Sequence, residues 1–158
     1  MRTLALAVAL AAAVLAQKYE GPRPEKPDLP YLLHAAHLLP LDQQEAKEEK
    51  RKDGTAFLAD GAAAKARTPL AEPILIFETK SIAPERLTLY KMEVKGNSRE
   101  VFFYDNPKKR KDSSKSFRLT MTKVGQGLYR LEPTEPLPNG EYALSPADSN
   151  TVFSFTIY

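Results

Sequence analysis

The two histidines of the chain are the residues whose type and spacing most readily suggest chemistry. His34 and His37 stand three positions apart in the stretch YLLHAAHLL, residues 31–39. On a helix this spacing would bring both imidazoles to one face, where they could bind a metal ion. On a strand the two side chains would point to opposite faces. Pro30 and Pro40 bracket the stretch and leave room for only about two helical turns. We therefore predict a strand with the histidines on opposite faces and no metal bound there.

Other signatures of catalysis are missing from the sequence. The chain contains no cysteine, so thiolate nucleophiles and zinc–thiolate sites are excluded. It has no G-x-S-x-G turn, and ADGAAAKA at residues 59–66 lacks the G-K-[ST] ending of a phosphate-binding loop. We predict no enzymatic activity and no cofactor. A metal-binding or hydrolytic enzyme that uses His34 and His37 remains as an alternative.

A run of consecutive basic residues is the strongest charge feature of the sequence. Lys108, Lys109, Arg110 and Lys111 follow Asn-Pro and precede a serine pair. Such a run can bind phosphate or sulfate groups of an envelope polymer, although a solvated hairpin loop is the alternative. It contains no aromatic residue for base stacking, and the chain's formal net charge is only +3. We therefore predict an anionic partner other than nucleic acid.

The elements that must position these residues begin after an export signal. Arg2 is followed by an apolar run from Leu4 to Leu15, and Val14 and Ala16 form a small-residue cleavage pattern before Gln17. We predict a signal peptide at 1–16, with no stable membrane span after its cleavage, and hence a periplasmic or extracellular protein. Residues 17–30 contain four prolines among charged residues and are predicted to form an extended tether.

Residues 31–158 are predicted to form a single β-sandwich domain. Segments with strand-like period and turn signals recur at intervals of roughly 8 to 12 residues, the spacing typical of a sandwich. Eight of these segments follow residue 54, at 55–59, 73–80, 87–94, 99–105, 116–124, 128–133, 141–145 and 151–158, and the stretch 31–39 precedes them. This pattern predicts an all-β, antiparallel sandwich of about seven or eight strands. The charged segment 41–53 consists of good helix formers, and we predict a short helical or loop insertion there.

The stretch PLPNGEYAL, residues 136–144, carries the information about fold family. Leu137, Gly140 and Tyr142 resemble the corner that introduces the penultimate strand of immunoglobulin-like and fibronectin type III sandwiches. The resemblance implies an immunoglobulin-like sandwich in which the tyrosine hydroxyl bonds back to the turn. Leu144 stands where immunoglobulin domains have a cysteine, and the chain has no tryptophan. The ending also resembles that of exported bacterial proteins of unknown function, in which such a strand precedes a Phe-x-Phe strand.

Together these features predict a non-catalytic exported sandwich that binds another exported or envelope protein, or an anionic envelope polymer through residues 108–111. An exposed sheet edge could add a strand to a partner. One alternative is a structural subunit of a surface assembly, with residues 17–30 acting as a donor strand or tether. The other is the enzyme built on the histidine pair.

Overall fold

A computed structural model describes residues 18–158, so the predicted signal peptide lies outside the described residues. The described chain forms two antiparallel sheets in a sandwich-like arrangement, which confirms the all-β sandwich. Its strands are β1 Tyr31–His34, β2 His37–Pro40, β3 Asp42–Glu45, β4 Lys47–Arg51, β5 Gly54–Asp60, β6 Arg67–Thr68, β7 Leu75–Glu78, β8 Leu87–Lys95, β9 Ser98–Tyr104, β10 Ser116–Phe117, β11 Leu119–Gly125, β12 Leu128–Pro133, β13 Gly140–Pro146 and β14 Thr151–Ile157. Short 3₁₀ helices lie at Pro84–Arg86 and Pro107–Asp112. Within residues 18–158, no helix is long and apolar enough to cross a membrane.

The smaller sheet has the strand order β11-β12-β7-β1-β2. Leu32 pairs with Leu75, and Leu75 pairs in turn with Leu131, so three leucines form a row across one face. All three are buried in the core between the sheets. This row is a consequence of the period-two patterning of the strands.

The larger sheet has the order β3-β14-β13-β8-β9-β5-β4, with β6 beside β14 and β10 beside β8. Its first and last strands, β3 and β4, are separated only by Ala46. One continuous segment therefore pairs with β14 through one half and with β5 through the other. Because both ends of the strand order belong to this segment, the larger sheet curls and closes on itself.

This closure gives the larger sheet two buried faces. Tyr142 and Phe155 belong to the core against the smaller sheet, whereas Ala143, Val152 and Val101 belong to a second apolar cluster inside the curl. Adjacent residues of one strand therefore enter different cores. As a result, β14 is buried over nearly its whole length.

Three of the expected hairpins are confirmed. Strands β8 and β9 meet through a two-residue Gly96-Asn97 turn, in which Gly96 has a φ of 60°. Glycine suits this position because a positive φ brings it no side-chain clash. The hairpins β11–β12 and β13–β14 pair antiparallel as expected. The number of strands exceeds the predicted seven or eight because short strands flank the main ones and bends divide others.

The prediction of a helical or loop insertion near 41–53 is wrong. Residues 42–45 and 47–51 are strands. Their helix-forming composition is a weak preference, and the pairing of one half with β14 and of the other half with β5 overrides it. Ala46 enters the second apolar cluster, and Leu41 enters the core between the sheets.

The described part of the proline-rich segment, residues 18–30, has neither helix nor strand. It nevertheless contacts the sandwich: Pro24 is buried, and Leu29 lies in the main core. The Asp28 N–H donates to the carbonyl of Glu78 at 2.7 Å. The last residues of this segment are therefore bound to their own domain.

Candidate functional site

The basic run occupies a 3₁₀ helix between β9 and β10. Asn106 accepts a hydrogen bond from the Lys108 N–H at 2.9 Å, and Pro107 occupies the first turn. The proline fixes a helical φ and lacks an N–H that would need a partner. The run therefore stands on a defined turn.

Two serines fix this turn to the sheet. The hydroxyl of Ser113 accepts from the Tyr104 N–H at 2.9 Å, and that of Ser114 accepts from the Phe102 N–H at 2.8 Å. The Ser114 N–H donates to the carbonyl of Phe102. These contacts occupy the edge of β9 where it diverges from β8. The serine pair that follows the basic residues thus holds the turn in place.

The four basic side chains of the turn are exposed. None of them lies within 4.0 Å of a carboxylate among residues 18–158, and Lys109 Nζ lies 5.6 Å from the centre of the Tyr104 ring. In a 3₁₀ helix, residues three apart are eclipsed. The side chains of Lys108 and Lys111 consequently project in a similar direction, and those of Lys109 and Arg110 project in other directions.

Two of the three cations in the groove beside this turn are already paired. The groove is lined by Arg51, Lys52, Lys95 and Asp112. Arg51 Nη2 lies 2.8 Å from a carboxylate oxygen of Glu100, and Lys95 Nζ lies 3.0 Å from Glu93. The unpaired positive charge of this surface therefore consists of Lys52 and the four cations at residues 108–111, and we call residues 108–111 the basic turn.

The histidines occupy a different arrangement from the one predicted. His34 ends β1 and His37 begins β2, and the two residues are directly opposite each other in the hairpin. Directly opposite residues share one face of a sheet, so the prediction of opposite faces is wrong. The two-residue turn Ala35-Ala36, with a φ of 53° at Ala35, separates them. Within the described residues, no group of three metal-ligating side chains forms around them or elsewhere.

A buried polar cluster, not foreseen from the sequence, lies inside the closed sheet. The Arg99 side chain is buried and donates to the carbonyls of Asp60 and Gly61, each at 2.9 Å. It also donates to the Ser154 hydroxyl at 3.0 Å and faces a carboxylate oxygen of Glu141 at 3.4 Å. Hydrogen bonds satisfy these groups, and the side chains of Arg99, Ser154 and Glu141 are all buried, so we assign the cluster a structural role.

Glu141, which lies on β13, completes this cluster. Its carboxylate accepts from the Ala64 N–H at 3.0 Å and from the Thr156 hydroxyl at 2.8 Å. Ser154 and Thr156 alternate with the apolar residues Phe153 and Phe155 along β14. They face the buried polar cluster, so both faces of β14 are covered.

Asp28 is the most strongly bonded carboxylate of the described chain. It accepts from the N–H groups of Lys80, Ser81 and Ile82 and from the Ser81 hydroxyl. Burial opposes its ionisation, but the bonds from Ser81, Lys80 and Ile82 outweigh this effect and lower its pKa to about 2. The residue ties the proline-rich segment to the loop after β7.

The corner predicted at residues 136–144 contains the bond that the resemblance implies. The Tyr142 hydroxyl donates to the carbonyl of Pro138 at 2.5 Å, and burial raises the pKa of Tyr142 to about 12. The chain matches no protein-family model, and comparisons with curated proteins and solved structures give no significant match. The fold and the site define an all-β sandwich with a basic turn, and the immunoglobulin-like resemblance stays a prediction.

Proposed function

We propose that this chain is a non-catalytic exported protein that binds an anionic, phosphate-bearing component of the cell envelope through its basic turn. The observation that supports the proposal is the set of unpaired, exposed cations at residues 108–111, on a turn fixed to the sheet by Ser113 and Ser114. A fixed turn loses little conformational entropy on binding. The export part of the proposal rests on the sequence of residues 1–16.

The geometry sets the strength expected of such binding. A basic side chain near an anionic surface contributes about 1 kcal/mol at moderate ionic strength. The 3₁₀ geometry directs two or three of the four side chains to a flat surface at once. We therefore expect the turn to contribute about 2–3 kcal/mol, which corresponds to roughly 30- to 150-fold in affinity.

The histidine pair and the proline-rich segment support the alternatives less well. His34 and His37 share a face, but no third protein ligand stands beside them in residues 18–158. Leu29 is buried in its own core and Asp28 bonds its own loop, so the end of the segment is not free to serve another subunit as a donor strand.

The test is binding to lipopolysaccharide, measured by surface plasmon resonance at 0.1 M salt. A variant with glutamine at all four positions of the basic turn should bind about 30- to 150-fold more weakly. A control variant carries the same change at four exposed lysines outside the turn: Lys18, Lys65, Lys80 and Lys123. Equal losses in the two variants would show that only net charge matters, and unchanged binding of the turn variant would reject the proposal.

Localisation is tested separately. The natural host should release the protein into its periplasmic or extracellular fraction, with an N-terminus at Gln17 by Edman sequencing. An N-terminus at Met1 in the cytoplasmic fraction would contradict export.

A further inference from the structure

A cavity opens at one end of the second apolar cluster, inside the closed sheet. It has a volume of about 170 Å³, and its walls include the rings of Phe57, Tyr90 and Phe103 together with Ala143 and Val152. The rings come from three different strands, β5, β8 and β9. The curl of the sheet, and no local motif, brings them together.

The aromatic walls are not covered by protein. Phe57, Tyr90 and Phe103 are only half-buried, although they belong to the apolar cluster at the centre of the curl. Phe103 makes edge contacts with both other rings, at centroid distances of 5.9 Å and 5.4 Å. A protein interior is normally packed without voids of this size. The rings therefore form a preorganised apolar surface.

The cavity has an inner and an outer end. Val101 and Ala143 line its inner end and lie two residues along their strands from Arg99 and Glu141, so the buried polar cluster lies on that side. At its outer end lies the turn between β13 and β14, residues 147–150, which carries polar side chains. Arg86 fixes this turn by donating to the carbonyl of Ala147 and to the carboxylate of Asp148. A ligand would thus place an apolar end inside and a polar end at the rim.

We propose that this cavity binds a small molecule carrying one monocyclic aromatic ring and a polar substituent. The volume fits a single ring, since an apolar cavity of about 150 Å³ holds benzene. Aromatic rings prefer edge-to-face and offset contacts of the kind that these walls already make. The cavity takes the ring, and the serine and asparagine of the rim, Ser149 and Asn150, contact the polar substituent. This site is separate from the basic turn and does not depend on its function.

Benzyl alcohol is a suitable probe, and cyclohexylmethanol is its non-aromatic counterpart. Binding to the purified protein is followed by heteronuclear NMR. We expect a dissociation constant of about 0.1–1 mM for benzyl alcohol, a range that suits a ligand of this size. Cyclohexylmethanol should bind several-fold more weakly. Nuclear Overhauser contacts should join the ligand protons to the methyl groups of Val101 and Val152, which line the cavity.

Two filling variants and one control locate the site. Ala143→Leu and Ala46→Leu each place added methyl groups into the cavity and should weaken binding of benzyl alcohol at least about tenfold. Ala71→Leu adds the same groups at an exposed position and should leave binding unchanged. The variant spectra report folding directly, and the Overhauser contacts of the wild-type protein test the site even where a variant fails to fold.

The proposal is overturned if benzyl alcohol does not bind below 10 mM, roughly ten times the weakest expected constant. It is also overturned if the Overhauser contacts fall outside the cavity, or if a folded filling variant binds as well as the wild type. Equal binding of cyclohexylmethanol would reject the aromatic specificity. Binding of a phenylalanine-ended peptide with undetectable binding of benzyl alcohol would assign the pocket to a polypeptide partner and reject the small-molecule ligand.

Discussion

Replacing Arg99 by methionine should destabilise the protein more than any change at its surface charges. Methionine keeps an unbranched side chain and removes the guanidinium group, with its charge and every donor. The Asp60 and Gly61 carbonyls then lose the hydrogen bonds from Arg99, and Glu141 is left buried without its counter-charge. Glu141 keeps the hydrogen bonds from Ala64 and Thr156.

The expected loss follows from the burial of both partners. The Arg99 side chain is 1 % exposed and that of Glu141 is 7 % exposed. Removing one partner of such a buried pair costs about 3–5 kcal/mol. The free energy of unfolding of a domain is typically about 5–15 kcal/mol, so the variant loses a large part of it. With a urea dependence of about 2 kcal/mol per molar, the unfolding midpoint should fall by about 2 M.

Urea unfolding at pH 7, followed by far-ultraviolet circular dichroism, measures this loss. Lys95→Met is the matched control, since it breaks the exposed pair with Glu93 and should cost at most about 1 kcal/mol. The double variant Arg99→Met, Glu141→Gln should recover part of the loss because no buried charge remains uncompensated. A loss below about 1 kcal/mol for Arg99→Met would refute the reasoning that the pair closes the curl.

Two further predictions concern pH. Asp28→Asn should cost about 1 kcal/mol of unfolding free energy at pH 7, after allowance for solvent screening. The lowered pKa of Asp28 stabilises the fold above pH 3.8, and this contribution is lost as pH falls towards about 2. Urea titrations should therefore show the stabilities of the two proteins converging in acid, and a constant difference would contradict the assignment. Tyr142→Phe should cost about 1 kcal/mol of unfolding free energy at pH 7 by removing the hydrogen bond to Pro138. Because the raised pKa of Tyr142 favours the protonated phenol in the folded state, the wild type should lose stability as pH rises from 10.0 to about 12. An equally steep alkaline loss of stability in the variant would assign the loss to other groups.

The strands that were predictable from the sequence are those whose neighbours are close along the chain. The Gly96-Asn97 turn and the alternation of Phe153 and Phe155 identify their hairpins because local pairing and side-chain period suffice. The tyrosine corner is likewise a local signal. These elements also place the basic turn correctly between two strands.

The curl of the larger sheet was not predictable because it depends on distant pairings. Strand β3 pairs with a strand more than a hundred residues away, and the charged residues of β3 and β4 have the composition of a helix. The pairing of β3 with β14 and of β4 with β5 decides their conformation. When the closure of the sheet is not known, the sequence indicates a surface position for Arg99, which follows a turn. It also gives no sign that the three aromatic rings of the cavity lie together.

The histidine pair was wrongly placed for a different reason. The turn between His34 and His37 is Ala35-Ala36, which has none of the glycine, asparagine or aspartate that usually marks a two-residue hairpin. An alanine with positive φ carries no sequence signal. The sequence therefore predicts one continuous strand, in which residues three apart point to opposite faces.

The most direct test of the basic turn as a binding site is an amide NMR titration of the purified protein with inorganic polyphosphate. If the proposal is right, the chemical-shift changes concentrate at residues 106–115 and saturate with added polyphosphate. The affinity should fall as salt is added. Shifts confined to other exposed lysines, such as Lys65 and Lys123, or no shifts at low salt, would contradict it.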